Sequence, residues 1–256
     1  MRRACFVLVV AAGTLAVGTF GPDPSHAAAA RNGSGYKPVP VTIVTAPRDA
    51  KLDAFRKELA AIAAKKDRAQ LARLVAKEIF WERDFGNGFD RKKSAFDNLA
   101  AALGIESGDG SGWDALAVFA AEPTVGPFAD RAGVVCAPAP PRYSDAELEA
   151  VIKATRSDGV EWSHPRAAGV QVYARPDTKA PVIETLGLAL VRVVGFEAKE
   201  SDVDPTRTAW AQVITPAGKS GYAPPGTLMS LFVDRLCFAK DAAGAWRIAG
   251  YVGGGD

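Results

Sequence analysis

Histidine is the scarcest chemistry-bearing residue of this chain: the 256 residues contain two, with two methionines and three cysteines. One of the histidines, His26, lies in a segment expected to be removed, which leaves His164 in a Ser-His-Pro loop. A single imidazole with two remaining cysteines does not make a zinc ligand set. Nor does it serve a thiol nucleophile, which needs a base and a third, orienting group. Net charge is low as well, at +2, which excludes a bulk bias toward nucleic acid or acidic membranes. There is no phosphate-binding glycine loop and no dinucleotide fingerprint, so no cofactor is expected. The Asp109-Gly110-Ser111-Gly112 stretch has the composition of a calcium loop but not its ligand spacing or terminal Glu.

Long apolar runs are limited to one, from Ala4 to Phe20, preceded by Arg2 and Arg3 and followed by small residues around Ser25, His26 and Ala27. A basic start, a short uncharged core and a small-residue exit form a secretory signal peptide over residues 1–27. The core is shorter than the roughly 20 residues of a spanning helix, and no second such run follows, so no integral membrane segment is expected after cleavage. Cleavage would remove Arg2, Arg3 and Asp23, taking Lys+Arg from 31 to 29 and Asp+Glu from 29 to 28. The expected location is periplasmic or secreted. In an oxidising compartment Cys136 and Cys237 read as one disulfide, closing a loop of about 100 residues, with two buried free thiols as the alternative.

What the sequence does contain divides into two patterns, and the fold class they predict is α+β. Residues 28–49 form a Gly- and Pro-rich flexible lead around Val41-Thr42-Ile43-Val44. Residues 50–132 are expected to be a helical domain. Leu52, Phe55, Leu59 and Ile62 recur at steps of three and four; Asp67 caps a second helix carrying Leu71, Leu74, Val75 and Ile79. Ser94 caps a third helix that stops at Gly104, and a fourth runs from Trp113 to Ala121 before Pro123. Residues 133–168 are a Pro-rich linker and a connecting helix with a Ser144/Glu147 capping box. From Gly169 the period becomes two. Short strands around Val172, Ile183, Val193, Trp210 and Tyr222 predict a small barrel, extended by a terminal hairpin over Asp241-Ala242-Ala243-Gly244.

The order of elements in 169–231 resembles the bacterial Src-homology-3-like (SH3-like) domain of envelope proteins. Val172-Tyr173-Ala174-Arg175-Pro176 is followed by Pro181-Val182-Ile183-Glu184-Thr185-Leu186, the Val-rich Leu190–Val194 strand, Trp210-Ala211-Gln212-Val213, and Gly221-Tyr222-Ala223 closing on Leu228. Residues 195–208 form a longer insertion than that family has, and Pro224-Pro225 follows its last matched strand. The resemblance implies a small barrel that binds extended ligands on aromatic rings, with Tyr173, Trp210 and Tyr222 as candidate ligand contacts and a cell-wall peptide or an envelope protein as partner. The expectation is a non-enzymatic binding or scaffolding protein with no catalytic residue and no metal. Two alternatives stand beside it. One is a peptidoglycan or glycan hydrolase using carboxylates near Glu82 and Asp84, flanked by Glu78 and Asp90 in an aromatic-rich tract. The other is a purely structural envelope module.

Overall fold

Helix α1 (Ala50–Lys65) begins where the Asp49 carboxylate accepts hydrogen bonds from the amides of Lys51 and Leu52, and ends where Lys66 turns left-handed. Its buried stripe is Leu52, Phe55, Leu59 and Ile62, the apolar spacing of an amphipathic helix. These elements belong to a computed structural model that describes residues 35–83, 86–197 and 208–253. Residues 1–27, expected to be a signal peptide, the first residues of the lead, Asp84, Phe85 and most of the 195–208 insertion lie outside the described residues.

Helix α2 (Arg68–Leu74) is capped by Asp67 as expected but stops at Leu74, five residues before Ile79. The chain continues as strand β2 (Val75–Arg83), so Glu78, Ile79 and Glu82 lie on a strand rather than on a helix face. The reason is tertiary: β15 (Trp246–Val252) lies alongside and pairs in parallel, with Gly250 opposite Phe80 and Tyr251 opposite Trp81. β-branched and aromatic residues suit that pleated position better than a helix end. Helices α3 (Ala95–Leu103) and α4 (Ser111–Ala121) follow the expected caps and stops, at Ser94, Gly104 and before Pro123.

The first lobe is thus helices on a six-stranded sheet and not a helical domain alone. Its order is β3 (Gly86–Asn87), β2, β15, β14 (Arg235–Lys240), β5 (Val135–Ala137) and β4 (Gly126–Pro127). The terminal hairpin β14–β15, expected to extend the C-terminal barrel, occupies the centre of this sheet. Leu236, Cys237 and Phe238 are all fully buried, as a strand covered on both faces requires. They pack with Leu59, Leu71, Leu99 and Leu116, and Phe55 meets Phe238 edge-on at 5.8 Å. Each such side chain contributes about 1.5–3 kcal/mol on burial. Cys136 and Cys237 sit opposite each other on β5 and β14 and form the expected disulfide.

The second sheet has seven antiparallel strands in the order β13 (Leu228–Ser230), β7 (Trp162–Pro165), β10 (Val191–Glu197), β11 (Trp210–Ile214), β12 (Ser220–Ala223), β8 (Val170–Tyr173) and β9 (Val182–Leu186). Among the described residues β13 and β9 do not pair, so this sheet is open where a closed barrel was expected. Strand β7 comes from within 133–168 and extends the sheet past β10. One face carries Val172, Val191, Val193, Ala211, Val213 and Ala223 as a core. Other parts of the connecting region are ordered too: α5 (Asp145–Thr155) starts at its Ser144 cap, and β6 (Pro141–Arg142) pairs with β1 (Thr42–Ile43).

From Gly35 onward the lead is docked, not flexible. Tyr36, Val39 and Val41 are buried, the Tyr36 hydroxyl donates to the Ile214 carbonyl at 3.0 Å, and its ring meets Trp162 edge-on at 5.0 Å. The Leu190 amide donates to Val39 and the Val41 amide to Leu188, so the lead also supplies backbone partners. No helix among the described residues is long and apolar enough to cross a membrane.

Candidate ligand-binding site

The open sheet leaves a mouth at one end of its apolar core. A cavity of about 320 Å³ there is lined by Val160, Ser163, Val193, Phe196, Ala211 and Leu228, among others. Three apolar side chains at this mouth are exposed to solvent: Val160 by 69 %, Phe196 by 44 % and Val194 by 40 %. Apolar exposure concentrated at one cavity marks a binding surface more than scattered single residues do. Val194 owes its position to a bulge: Val193 pairs with Val213 and Gly195 with Gln212, so Val194 is the extra residue and is turned outward. Val160 is held by a 3-10 turn, Gly159–Glu161, in which Asp158 and Glu161 cap each other.

Charge at the mouth is neutralised. Glu161 lines it, and Arg192 holds its carboxylate at 2.6 Å. Burial pushes the Glu161 carboxyl up, but hydrogen bonds from Arg192 and the Asp158 amide outweigh this and keep it below the ordinary carboxylate range. Ser163 and Ser230 face each other across β7 and β13 and both line the cavity.

A second cleft, of about 450 Å³, lies between the lobes where α4 faces β13. Val118, Phe119, Pro138, Met229 and Phe232 give it an apolar lining, and Phe232 is half exposed. Its floor holds Glu122, 5 % exposed, whose carboxylate oxygens both lie 3.1 Å from one terminal nitrogen of Arg166. The Thr124 hydroxyl and amide complete that carboxylate's hydrogen bonding, so the buried charge is satisfied.

Tyr173, Trp210 and Tyr222 are brought together on the other face of the seven-stranded sheet. Tyr222 is opposite Tyr173 in the ladder, and Trp210 meets Tyr173 edge-on at 5.7 Å. Tyr173 is 8 % exposed and donates its hydroxyl to Gln171, whereas Trp210 and Tyr222 are half-buried. Burial, and then the charge of Glu197, raises the Tyr222 hydroxyl above its ordinary value.

Of the carboxylates of the alternative reading, Glu78 is exposed on β2, while Glu82 and Asp90 have partners. Glu82 is ion-paired to Arg131 at 2.8 Å, with that guanidinium stacked over Phe80, and the Asp90 carboxylate accepts from the Lys92 amide. Asp84 is outside the described residues. His164 is 1 % exposed on β7, its Nδ1 2.9 Å from the Pro165 carbonyl. Burial lowers its pKa, and the positive charges of Arg235 and Arg166 lower it further. No group of three or more His, Cys, Asp or Glu side chains is placed to hold a metal among the described residues.

Val160, Val194, Phe196 and Phe232 are not among the site residues expected from the sequence. The one local signal for them is apolar side chains next to turn residues, such as Gly159-Val160 and Gly195-Phe196. Compared with models of known protein families, with curated proteins and with solved structures, this chain matches none of them.

Proposed function

We propose that this is an exported, non-enzymatic binding protein of the cell envelope, whose seven-stranded sheet is an SH3-like module that captures an extended segment of a cell-wall peptide or a protein partner at its open mouth. Supporting the export are the signal-peptide pattern of residues 1–27 and a disulfide between Cys136 and Cys237. In favour of the SH3-like reading are the antiparallel run β10–β11–β12 and its pairing with the β8–β9 hairpin. The observation that carries the binding reading is the cluster of Val160, Val194 and Phe196 exposed around one neutral apolar cavity. Ligand cavities are commonly apolar with few polar groups, and 320 Å³ falls at the lower end of their size range.

The test is capture of peptides from a random dodecapeptide display library, and of isolated cell-wall sacculi, by the mature protein and by Phe196→Asp. A charge at the mouth should abolish capture while thermal unfolding stays unchanged. Capture unaffected by Phe196→Asp but lost in Trp210→Ala would move the site to the aromatic row. Clearing of peptidoglycan that Glu82→Gln abolishes would replace the binding reading with the hydrolase one.

A further inference from the structure

Strand β13 is an edge, and its ladder shows which of its backbone groups are committed. The Arg166 amide donates to Thr227 at 2.9 Å and the Leu231 amide donates to Trp162 at 3.3 Å, so Thr227 and Leu231 face β7. Met229, midway between them and in register with His164, faces β7 too. In an antiparallel ladder alternate residues point their N–H and C=O groups to opposite sides, so those of Leu228 and Ser230 point away from the sheet. Among the described residues no strand pairs with that side, and no hydrogen bond reaches these four groups.

Both apolar cavities border this edge. Leu228 and Ser230 line the mouth and the interlobe cleft alike. The side chains of Leu228 and Ser230 lie on the face of the mouth, and that of Met229 on the face of the cleft. A strand laid along β13 would send successive side chains to these two faces in turn, as the strand period of two dictates.

We infer that β13 is a strand-addition site for an extended protein segment with consecutive uncharged, apolar side chains, one entering the mouth beside Phe196 and the next entering the cleft beside Phe119. This rests on the binding reading above and deepens it by naming the mode and the partner. Hydrogen bonds from the open edge hold the segment, and the two cavities select its side chains. The occupant is argued from charge: arginines already hold the mouth's Glu161 and the cleft's Glu122, and the cleft's Asp234 carboxylate accepts from the Tyr251 hydroxyl, so an acidic side chain entering either cavity would be desolvated beside carboxylates. That disfavours a carboxylate-bearing cell-wall peptide and favours an apolar protein segment.

The experiment uses the full mature chain and one dodecapeptide selected from the display library. Single N-methylation along the peptide should weaken binding about fivefold at alternate amides and leave the intervening ones unchanged, since each lost edge hydrogen bond is worth that much. Ser230→Pro removes an outward N–H and should weaken the unmodified peptide similarly, and proline is tolerated at such an edge position. Hydrogen exchange at the Leu228 and Ser230 amides should slow on binding. Should Ser230→Pro fail to fold, the N-methyl series on the unaltered protein still decides. Peptides whose binding Phe196→Asp abolishes but N-methylation never alternates would overturn strand addition and leave the binding reading standing. Displacement of the peptide by soluble cell-wall fragments at lower concentration would overturn the protein-segment assignment. Failure to select any peptide would overturn this inference, and sacculus capture by the mature protein would then show the binding reading intact.

Discussion

Replacing Cys136 and Cys237 together by alanine separates two views of the terminal hairpin. The disulfide joins residues 101 apart, both fully buried, on neighbouring strands of the first lobe's sheet. In the chain-entropy account, closing a loop of about 100 residues contributes up to about 4.7 kcal/mol, and measured losses for native disulfides are about 2–5 kcal/mol. We expect about 3–5 kcal/mol here, because the bond pins β14, the strand carrying Leu236 and Phe238 through the core. At about 2–4 °C per kcal/mol for a chain of this size, the midpoint should fall by roughly 10 °C. Calorimetry with circular dichroism at 222 nm reads it directly, since helices α1–α4 pack on the sheet the hairpin completes. Were the hairpin part of the second sheet, the bond would merely tie two independent lobes and the helical signal would melt unchanged. A loss below about 1 kcal/mol, or a loss that spares the helical signal, would refute the reasoning.

Acid should also destabilise the protein through His164. Its folded pKa lies below the ordinary value, so the unfolded chain binds the proton first. Stability is therefore complete above about pH 6.5 and declines as pH falls from there toward the lowered folded value; His164→Met should flatten that part of a denaturant-midpoint profile. Glu122→Ala strands the Arg166 guanidinium and the Thr124 hydroxyl at the lobe junction and should cost about 2–3 kcal/mol in urea unfolding, less than a fully buried pair because Arg166 is partly exposed. A combined Glu122→Met, Arg166→Met variant should recover much of that loss, and no recovery would contradict the assignment.

Elements specified by adjacent residues are readable from the sequence. The caps at Asp67, Ser94 and Ser144 and the stop at Gly104 each concern one chain turn, and each is present. The strand identity of Val75–Arg83 is not readable in this way, because it depends on β15 some 170 residues further on. The hairpin turn at Asp241–Gly244 is legible; which sheet receives it is decided by Phe238 meeting Phe55 and by Cys237 meeting Cys136. Likewise Pro38 and Pro40 read as a tether until Tyr36 finds Trp162. The aromatic row of Tyr173, Trp210 and Tyr222 was legible as a set only through the resemblance of 169–231 to SH3-like domains; that β8, β11 and β12 put the three on one face is a matter of sheet pairing. The mouth was not legible, since it gathers residues near 160, 194, 210 and 228, and one of them is exposed through a bulge that composition does not mark.

The central claim is that ligand is taken at the mouth and edge of the open sheet. Its most direct test is backbone hydrogen exchange of the mature protein with and without the selected dodecapeptide. Slowed exchange should centre on Leu228, Ser230 and the Val194–Phe196 bulge. Protection confined to Tyr173 and Tyr222, or to the strand carrying Glu82, would contradict it.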